Sequence, residues 1–282
     1  MAKRKLSIGV DLGGTNVRAG LVGDERILSL HQQPIRSQGS AEQVFADLCH
    51  AIEEAGARRA GGIGIGVPSL VNSKNGTIFD TTNIPSWQAV PLKKKLEKKF
   101  GLPVRIDNDA NCFALGESHF GQGKNCENFV GLILGTGMGA GIISRGHLHS
   151  GTDGGAGEFG MISYREANLE AYCSGQFFRR HGREGAEVSA AAAAGEVNAK
   201  ELFFEYGKHL AEAFQIILYS LAPEMIILGG SVSLAYPHFR AALEKSLEEK
   251  FVYPSVRKAL RVKVSRKPQI AVLGAASLLR DL

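Results

Sequence analysis

No stretch of the chain approaches the roughly 18 consecutive apolar residues that a membrane helix needs. Residues 6–12 are too short and too Gly-rich a stretch for the core of a signal peptide. The expected compartment is therefore the cytoplasm, with no membrane partner. Cysteine is scarce. Cys49, Cys112, Cys126 and Cys173 stand far apart with no C-x-x-C pair. That spacing supports neither a disulfide framework nor a zinc site, and reduced, mostly buried thiols are expected. Charge of one sign does not dominate either: 33 Lys and Arg against 28 Asp and Glu leave a net +5. The densest basic run, Lys93, Lys94, Lys95, Lys98 and Lys99, interleaves with Leu92, Leu96 and Phe100. Apolar residues at i, i+4 and i+8 make those lysines the solvated face of one helix. No aromatic interleaving or base-reading motif accompanies them, so no nucleic-acid partner is expected. Also missing is the GxxxxGK[ST] phosphate loop. Gly135-x-Gly137 lacks the third glycine, at position 140, of a dinucleotide fingerprint.

What remains is an ordinary globular composition, 44% apolar and 22% charged, in a chain long enough for one large or two medium domains. Apolar patterning predicts strands at 6–12, 17–21 and 27–30. Ser40 with Gln43 reads as a capping box ahead of a helix whose apolar face is Val44, Leu48, Ile52 and Ala55. A buried strand at 61–67 ends at Pro68, a strand follows at 102–106, and a helix covers 111–119. A second block opens near Asn128 with strands at 129–134 and up to 144, joined by Gly135-Thr136-Gly137-Met138-Gly139. A loop-rich stretch fills 146–160. Helices are predicted at 169–181, 186–194, 198–221, 237–251 and 274–282, with strands at 225–228 and 261–264. Residues 8–22 align with 130–144 at an offset of 122, strand on strand and turn on turn, with Gly9/Gly131, Leu12/Leu134 and Gly13/Gly135 identical. Such self-similarity points to a duplicated α/β protein of two similar lobes with a ligand cleft between them. The expected division is a smaller lobe at 1–112, to which the last helix returns, and a larger one at 113–273.

The two glycine tips carry the first chemical signal. In Asp11-Leu12-Gly13-Gly14-Thr15-Asn16, the glycines let backbone N–H groups approach phosphate oxygens, and Thr15 and Asn16 add side-chain donors. Asp11, at the strand end, is placed to hold Mg²⁺ directly or through water. Gly135, Thr136 and Gly137 offer the same chemistry from the other lobe, so two facing tips could clamp a triphosphate. Taken singly, each tip is equally a tight β-turn.

The second signal is Asp107-Asn108-Asp109-Ala110-Asn111, linking an apolar strand to a helix. Asp or Asn there is ordinarily a helix cap. The functional alternative sets Asp109 in the cleft as general base for a sugar hydroxyl attacking a γ-phosphoryl group. Asn108 then binds neighbouring hydroxyls and Asp107 supports the loop. Glu158 sits in the glycine-rich run 154–160. Glu170 opens a helix, where an acid is also favoured by the helix dipole.

Together these segments resemble the ROK family of bacterial sugar kinases and repressors over nearly the whole chain. The motifs are 11–18 (Asp-Leu-Gly-Gly-Thr-Asn-Val-Arg), 64–68 (Gly-Ile-Gly-Val-Pro), Asn83-Ile84-Pro85-x-Trp87, 108–111, 134–139, Gly157-Glu158-Phe159-Gly160 and 169–175 (Leu-Glu-Ala-Tyr-Cys-Ser-Gly). Within the family the nearest look is to glucokinases. The resemblance implies an actin-like (ribonuclease H-like) fold holding ATP and sugar in its cleft, and a homodimer. Asp109 matches the family's catalytic base, Asn108 its sugar-binding neighbour, and Glu158 and Glu170 its two sugar-binding glutamates. Asn83, and the turn from Gly66 to Pro68, match pocket-lining segments. Gly229 and Gly230 match the glycine pair near adenosine. The implied reaction gives ADP and a hexose 6-phosphate, with glucose first and N-acetylmannosamine, N-acetylglucosamine, fructose or allose as alternatives. A catalytically silent hexose and nucleotide sensor is the rival from another class. Two departures stand out. Met161 occupies the position of the family's histidine, a sugar and zinc contact. The Cys-x-Cys-Gly-x-x-Gly-Cys cluster is missing, with only residues 162–168 between Met161 and Leu169; no zinc is expected. The family's repressors carry an N-terminal helix-turn-helix, for which a first strand near Leu6 leaves no room.

Overall fold

A computed structural model describes residues 6–280 except 73, 80 and 82. Strands covered on both faces read as continuous apolar and glycine runs, and two such strands found the first sheet. β1 (Ser7–Leu12) and β4 (Ile63–Val67) lie parallel. β2 (Asn16–Gly23) and β3 (Arg26–Pro34) follow β1 as antiparallel neighbours. β8 (Val104–Asn108) extends the far edge parallel to β4, giving the order β3-β2-β1-β4-β8. Helix α1 (Ala41–Ala55) begins at the predicted capping box, with Ser40 and Gln43 bonded reciprocally, and buries Val44, Leu48, Ile52 and Ala55. A small sheet of β5 (Leu70–Asn72), β6 (Thr77–Phe79) and β7 (Ala89–Val90) precedes α2 (Leu92–Phe100), which buries Leu92 and Leu96 beneath its lysines. Helix α3 (Asp109–Phe120) leads into the second half.

There the strands are β9 (Phe129–Leu134), β10 (Met138–Ser144), β11 (His147–Leu148), the small hairpin β12 (Ser163–Tyr164) and β13 (Ala167–Asn168), β14 (Met225–Gly229) and β15 (Arg261–Val264). The helices are α4 (Leu169–Cys173), α5 (Gly175–Arg180), α6 (Gly185–Ala193), α7 (Val197–Leu221), α8 (Tyr236–Lys250), α9 (Pro254–Ala259) and α10 (Ile270–Ser277). The second large sheet runs β11-β10-β9-β14-β15, the same order and the same parallel and antiparallel pairings as the first. The offset of 122 holds between β1 and β9: Ile8 faces Ile63 as Val130 faces Ile226. It slips in the returning strands. Leu12 pairs with Val17 but Leu134 with Met138, so the second tip is one residue shorter.

Helix α10 lies against β1, β4 and α3. The approach is too close for side chains: a Cβ on Gly64 would overlap the Ala275 carbonyl, and one on Gly274 the Cys112 carbonyl of α3. This helix begins earlier than predicted, at Ile270 rather than 274, and ends at Ser277; residues 281 and 282 lie outside the described part. Two further boundaries differ from expectation. Helix α3 starts at Asp109 because Asn108 caps it. The predicted helix 169–181 is two helices, broken where Ser174 turns extended (φ −124°, ψ −171°) and its side chain accepts the N–H of Gln176.

Candidate active site

Strand register sets the first row of the site. Asp11 of β1 lies opposite Gly66 of β4, and Gly66 opposite Asp107 of β8. All three sit at the C-terminal ends of parallel strands, where open α/β sheets bind ligands. The next residues divide the labour the sequence left open. Asn108 is the cap: its side-chain oxygen accepts the N–H groups of Ala110 (2.8 Å) and Asn111 (3.4 Å). Its amide donates to the Ser69 carbonyl at 3.3 Å, leaving one N–H to give. Asp107 supports the loop, accepting from the Asn108 N–H (2.8 Å) and the Asn111 amide (2.7 Å). Asp109, relieved of capping, stands at the first helical position, and its Oδ1 accepts the Ala110 N–H at 2.8 Å.

The start of α3 is wedged between the two sheets. A Cβ on Gly66 would lie 3.3 Å from the Asp109 Cα, and one on Gly139 of β10 3.3 Å from the Ala110 Cβ. The start of α3, with Asp109, is thereby held between β4 of the first sheet and β10 of the second. Burial pushes its carboxyl up to about 7, and the charges of Asp11 and then Glu158 add to the rise against the pull of the Ala110 N–H. Burial also raises Asp11, against its ion pair with Arg18 at 3.1 Å. Burial raises Glu158, helped by Glu170. Asp109 is thus near enough to Asp11 and Glu158, and Glu158 to Glu170, for their charges to be felt.

The other predicted residues lie on turns and strand ends of both halves. In the first tip, Gly13 donates to the Asn16 carbonyl (2.9 Å) and Thr15 accepts from the Ile35 N–H (3.0 Å); Thr15 is exposed and Gly14 touches Asn83. Pro68 is half-buried just beyond β4. The loop before Glu158 reaches back to the first half through the Asn72 amide, which donates to Asp153 at 2.8 Å. In the second tip, Gly135 donates to the Gly137 carbonyl at 3.0 Å, and Thr136 is exposed. Gly229 ends β14 beside Ile133, and Gly230 turns away with φ +81°, its backbone pressed on the Leu134 carbonyl. Met161 is 52% exposed.

Sequence reasoning missed the residues that hold the second tip. Ser174 Oγ donates to the Thr136 carbonyl (3.2 Å), the Gly175 N–H to the Gly135 carbonyl (2.7 Å) and Arg179 to the Thr136 carbonyl (3.4 Å). The Cys173-Ser174-Gly175 run, a helix-stop triplet inside an expected helix, was the available signal. A cavity of about 470 Å³ lined by Leu6, Val22, Pro103, Phe120 and Arg280 contains none of the predicted site residues.

Among the described residues, no group of three or more His, Cys, Asp or Glu side chains could hold a metal ion as a protein-only cage. The magnesium ion of a nucleotide complex needs none, since one or two carboxylates and phosphate oxygens suffice. Asp11, at the end of β1 and paired with Arg18 through one oxygen, offers one such carboxylate. Among the described residues no helix is long and apolar enough to cross a membrane.

The ROK family profile matches residues 7–282. The glucokinase of Thermotoga maritima is 32% identical over 315 aligned positions, spanning all of this chain and 99% of that protein. An N-acetyl-D-glucosamine kinase of Yersinia pseudotuberculosis is 31% identical over 254 positions, 80% of this chain and 83% of that one. Among solved structures, a ROK family glucokinase from Streptomyces griseus in complex with glucose and AMPPNP superposes with a TM-score of 0.86 at 30% identity, covering 98% of this chain and all of the other.

Proposed function

Since the chain belongs to the ROK family and has its actin-like, two-lobed α/β fold, we propose that it transfers the γ-phosphoryl group of ATP to the 6-hydroxyl of a hexose, glucose first. The observation that carries this reading is Asp109, held near neutral pKa between Asp11 and Glu158. A base with that pKa is half ionised at neutral pH and strong enough to accept a proton as the hydroxyl oxygen attacks. The O–P bond forms at the sugar, the bond to the ADP leaving oxygen breaks, and the hydroxyl proton passes to Asp109. Asn108, Glu158 and Glu170 hold neighbouring hydroxyls, with Asn83 and the Gly66–Pro68 turn lining the pocket. Backbone N–H groups of Gly13, Gly14, Gly135 and Gly137, with Thr15, Asn16 and Thr136, take the phosphates. Gly229 and Gly230 flank the adenosine. Asp11 would hold Mg²⁺, whose chemistry there is to neutralise phosphate charge.

A coupled ADP-release assay over a panel of hexoses tests the proposal. Release that requires a hexose, strongest with glucose, supports it. Release independent of sugar would replace it with a general ATPase. Hexose and nucleotide binding without ADP would replace it with a silent sensor. Met161 in the histidine position, together with the N-acetyl-D-glucosamine kinase relative, favours N-acetylglucosamine as the second substrate to try. The proposal includes a cytoplasmic homodimer, which sedimentation at twice the 30.2 kDa chain mass would support and a monomer would exclude. It also includes lobes of 1–112 and 113–273 that close on the substrates. Small-angle scattering unchanged by both ligands would count against closure.

A further inference from the structure

Glu170 rests on the second glycine tip. Its Oε2 accepts the backbone N–H of Met138 at 2.9 Å, and a Cβ on Gly137 would stand 2.5 Å from that oxygen. Its Oε1 accepts the side-chain amide of Gln176 at 2.8 Å. The Gln176 N–H in turn donates to Ser174 Oγ at 3.1 Å, and the same hydroxyl donates to the Thr136 carbonyl. A closed ring results, running Met138, Glu170, Gln176, Ser174, Thr136 and back along the tip. Ser174 is fully buried within it.

We propose that Gln176 is a positioning residue which, through this ring, makes hexose and nucleotide bind with positive cooperativity. The proposal rests on the reading of Glu170 as a sugar ligand. Each Glu170 oxygen spends one lone pair on the ring and keeps another for a sugar hydroxyl. A hydroxyl donated to that carboxylate fixes it, and the fixed carboxylate fixes the Met138 N–H at the root of the tip. The carbonyls of Gly135 and Thr136 are already engaged by Gly175, Ser174 and Arg179. They cannot rotate toward an incoming phosphate without losing those bonds. A tip ordered by sugar thus presents its N–H groups to phosphate, and linkage requires nucleotide to tighten sugar by the same factor. Gln176 touches neither ligand in this arrangement; it holds the carboxylate that touches one and braces the other.

The test is calorimetric titration of Mg-AMPPNP into the full chain with and without saturating glucose, and the reciprocal titration. The wild type is expected to show a coupling factor of about 5–50. Gln176→Met keeps the length and loses the donor. Its factor is expected to fall below about 3, with the two single-ligand affinities changing far less. Ser174→Ala opens the ring elsewhere and is the second variant should Gln176→Met fold poorly. The double variant is expected to lose no more coupling than either single one, as members of one network do. Full coupling retained in Gln176→Met, or in Ser174→Ala should it alone fold, overturns the proposal. So does a wild-type factor near 1 in an enzyme that phosphorylates glucose. A wild type that releases no ADP with any hexose overturns the kinase reading, and this inference with it.

Discussion

Asn83 stands directly against Gly14: a Cβ built on that glycine would lie 2.6 Å from the Asn83 Cβ. One residue belongs to the segment assigned to sugar, the other to the tip assigned to phosphate. The nearest atom is the root of the asparagine side chain, not its mobile end, so a side chain at position 14 could not be accommodated by a rotamer change of Asn83.

Gly14→Ala should therefore disturb both substrates. The added methyl must push Asn83 outward or the tip inward, and a displacement near 1 Å at a reacting centre costs roughly 10²-fold in rate. We expect kcat/KM to fall by about that factor for both ATP and hexose while the melting temperature stays near the wild-type value. Unchanged kinetics for either substrate would show that the contact yields freely.

Asp109→Asn should lower kcat by roughly 10²–10⁴ and leave AMPPNP affinity nearly intact. Asparagine preserves shape and can still accept the Ala110 N–H. Turnover like that of the wild type would remove Asp109 from the role of base.

The same carboxyl makes a prediction about pH. Its folded pKa, about 7, lies above the ordinary aspartate value near 3.9. The stability gained from its proton is complete below about pH 4 and is lost as pH rises through about 7. Asp109→Asn should accordingly melt higher than the wild type at pH 8, by a few degrees, and no higher at pH 4. Activity runs the other way, since the base must be ionised: kcat/KM should climb with pH up to about 7. Equal melting temperatures at both pH values would show that the carboxyl is ionised in the fold at no cost.

Gly274→Ala should destabilise the protein more than an ordinary helix glycine substitution, because the methyl would overlap the Cys112 carbonyl in the first turn of α3. Overpacking of a tight core costs typically 1–3 kcal/mol, occasionally more. A urea midpoint equal to or above that of the wild type would contradict the close crossing of α3 and α10.

All four thiols should resist labelling in the native state. Burial raises each of them: Cys49 to about 11, with Cys112, Cys126 and Cys173 also above the ordinary thiol range. Ellman's reagent at pH 8 should titrate them only after urea is added. Rapid reaction of any one in native buffer would place that cysteine at the surface.

The sequence carried the parts of this architecture that are local. Ser40 and Gln43 announce α1 because a capping box is a four-residue device, and the two glycine tips announce their hairpins for the same reason. The carboxylates Asp11, Asp109, Glu158 and Glu170 were each visible beside a strand end, a cap or a glycine run. Their assignment to one cleft came from the family resemblance and not from local pattern, because it depends on the Asp11–Gly66–Asp107 register across three strands and on where α3 packs. The break at Ser174 escaped helical periodicity because its cause lies 38 residues upstream, at the Thr136 carbonyl. β5, β6 and β7, of two or three residues each, are too short to show an alternation.

Helix α10 covers strands synthesised more than two hundred residues before it. On the ribosome, β1 and β4 must wait with their glycine faces bare until residues 270–277 emerge from the exit tunnel. The first sheet can therefore be covered only late, after all of its own strands have been made. A nascent chain stalled before residue 270 has emerged should be the form most dependent on chaperones, whatever the stability of the finished molecule.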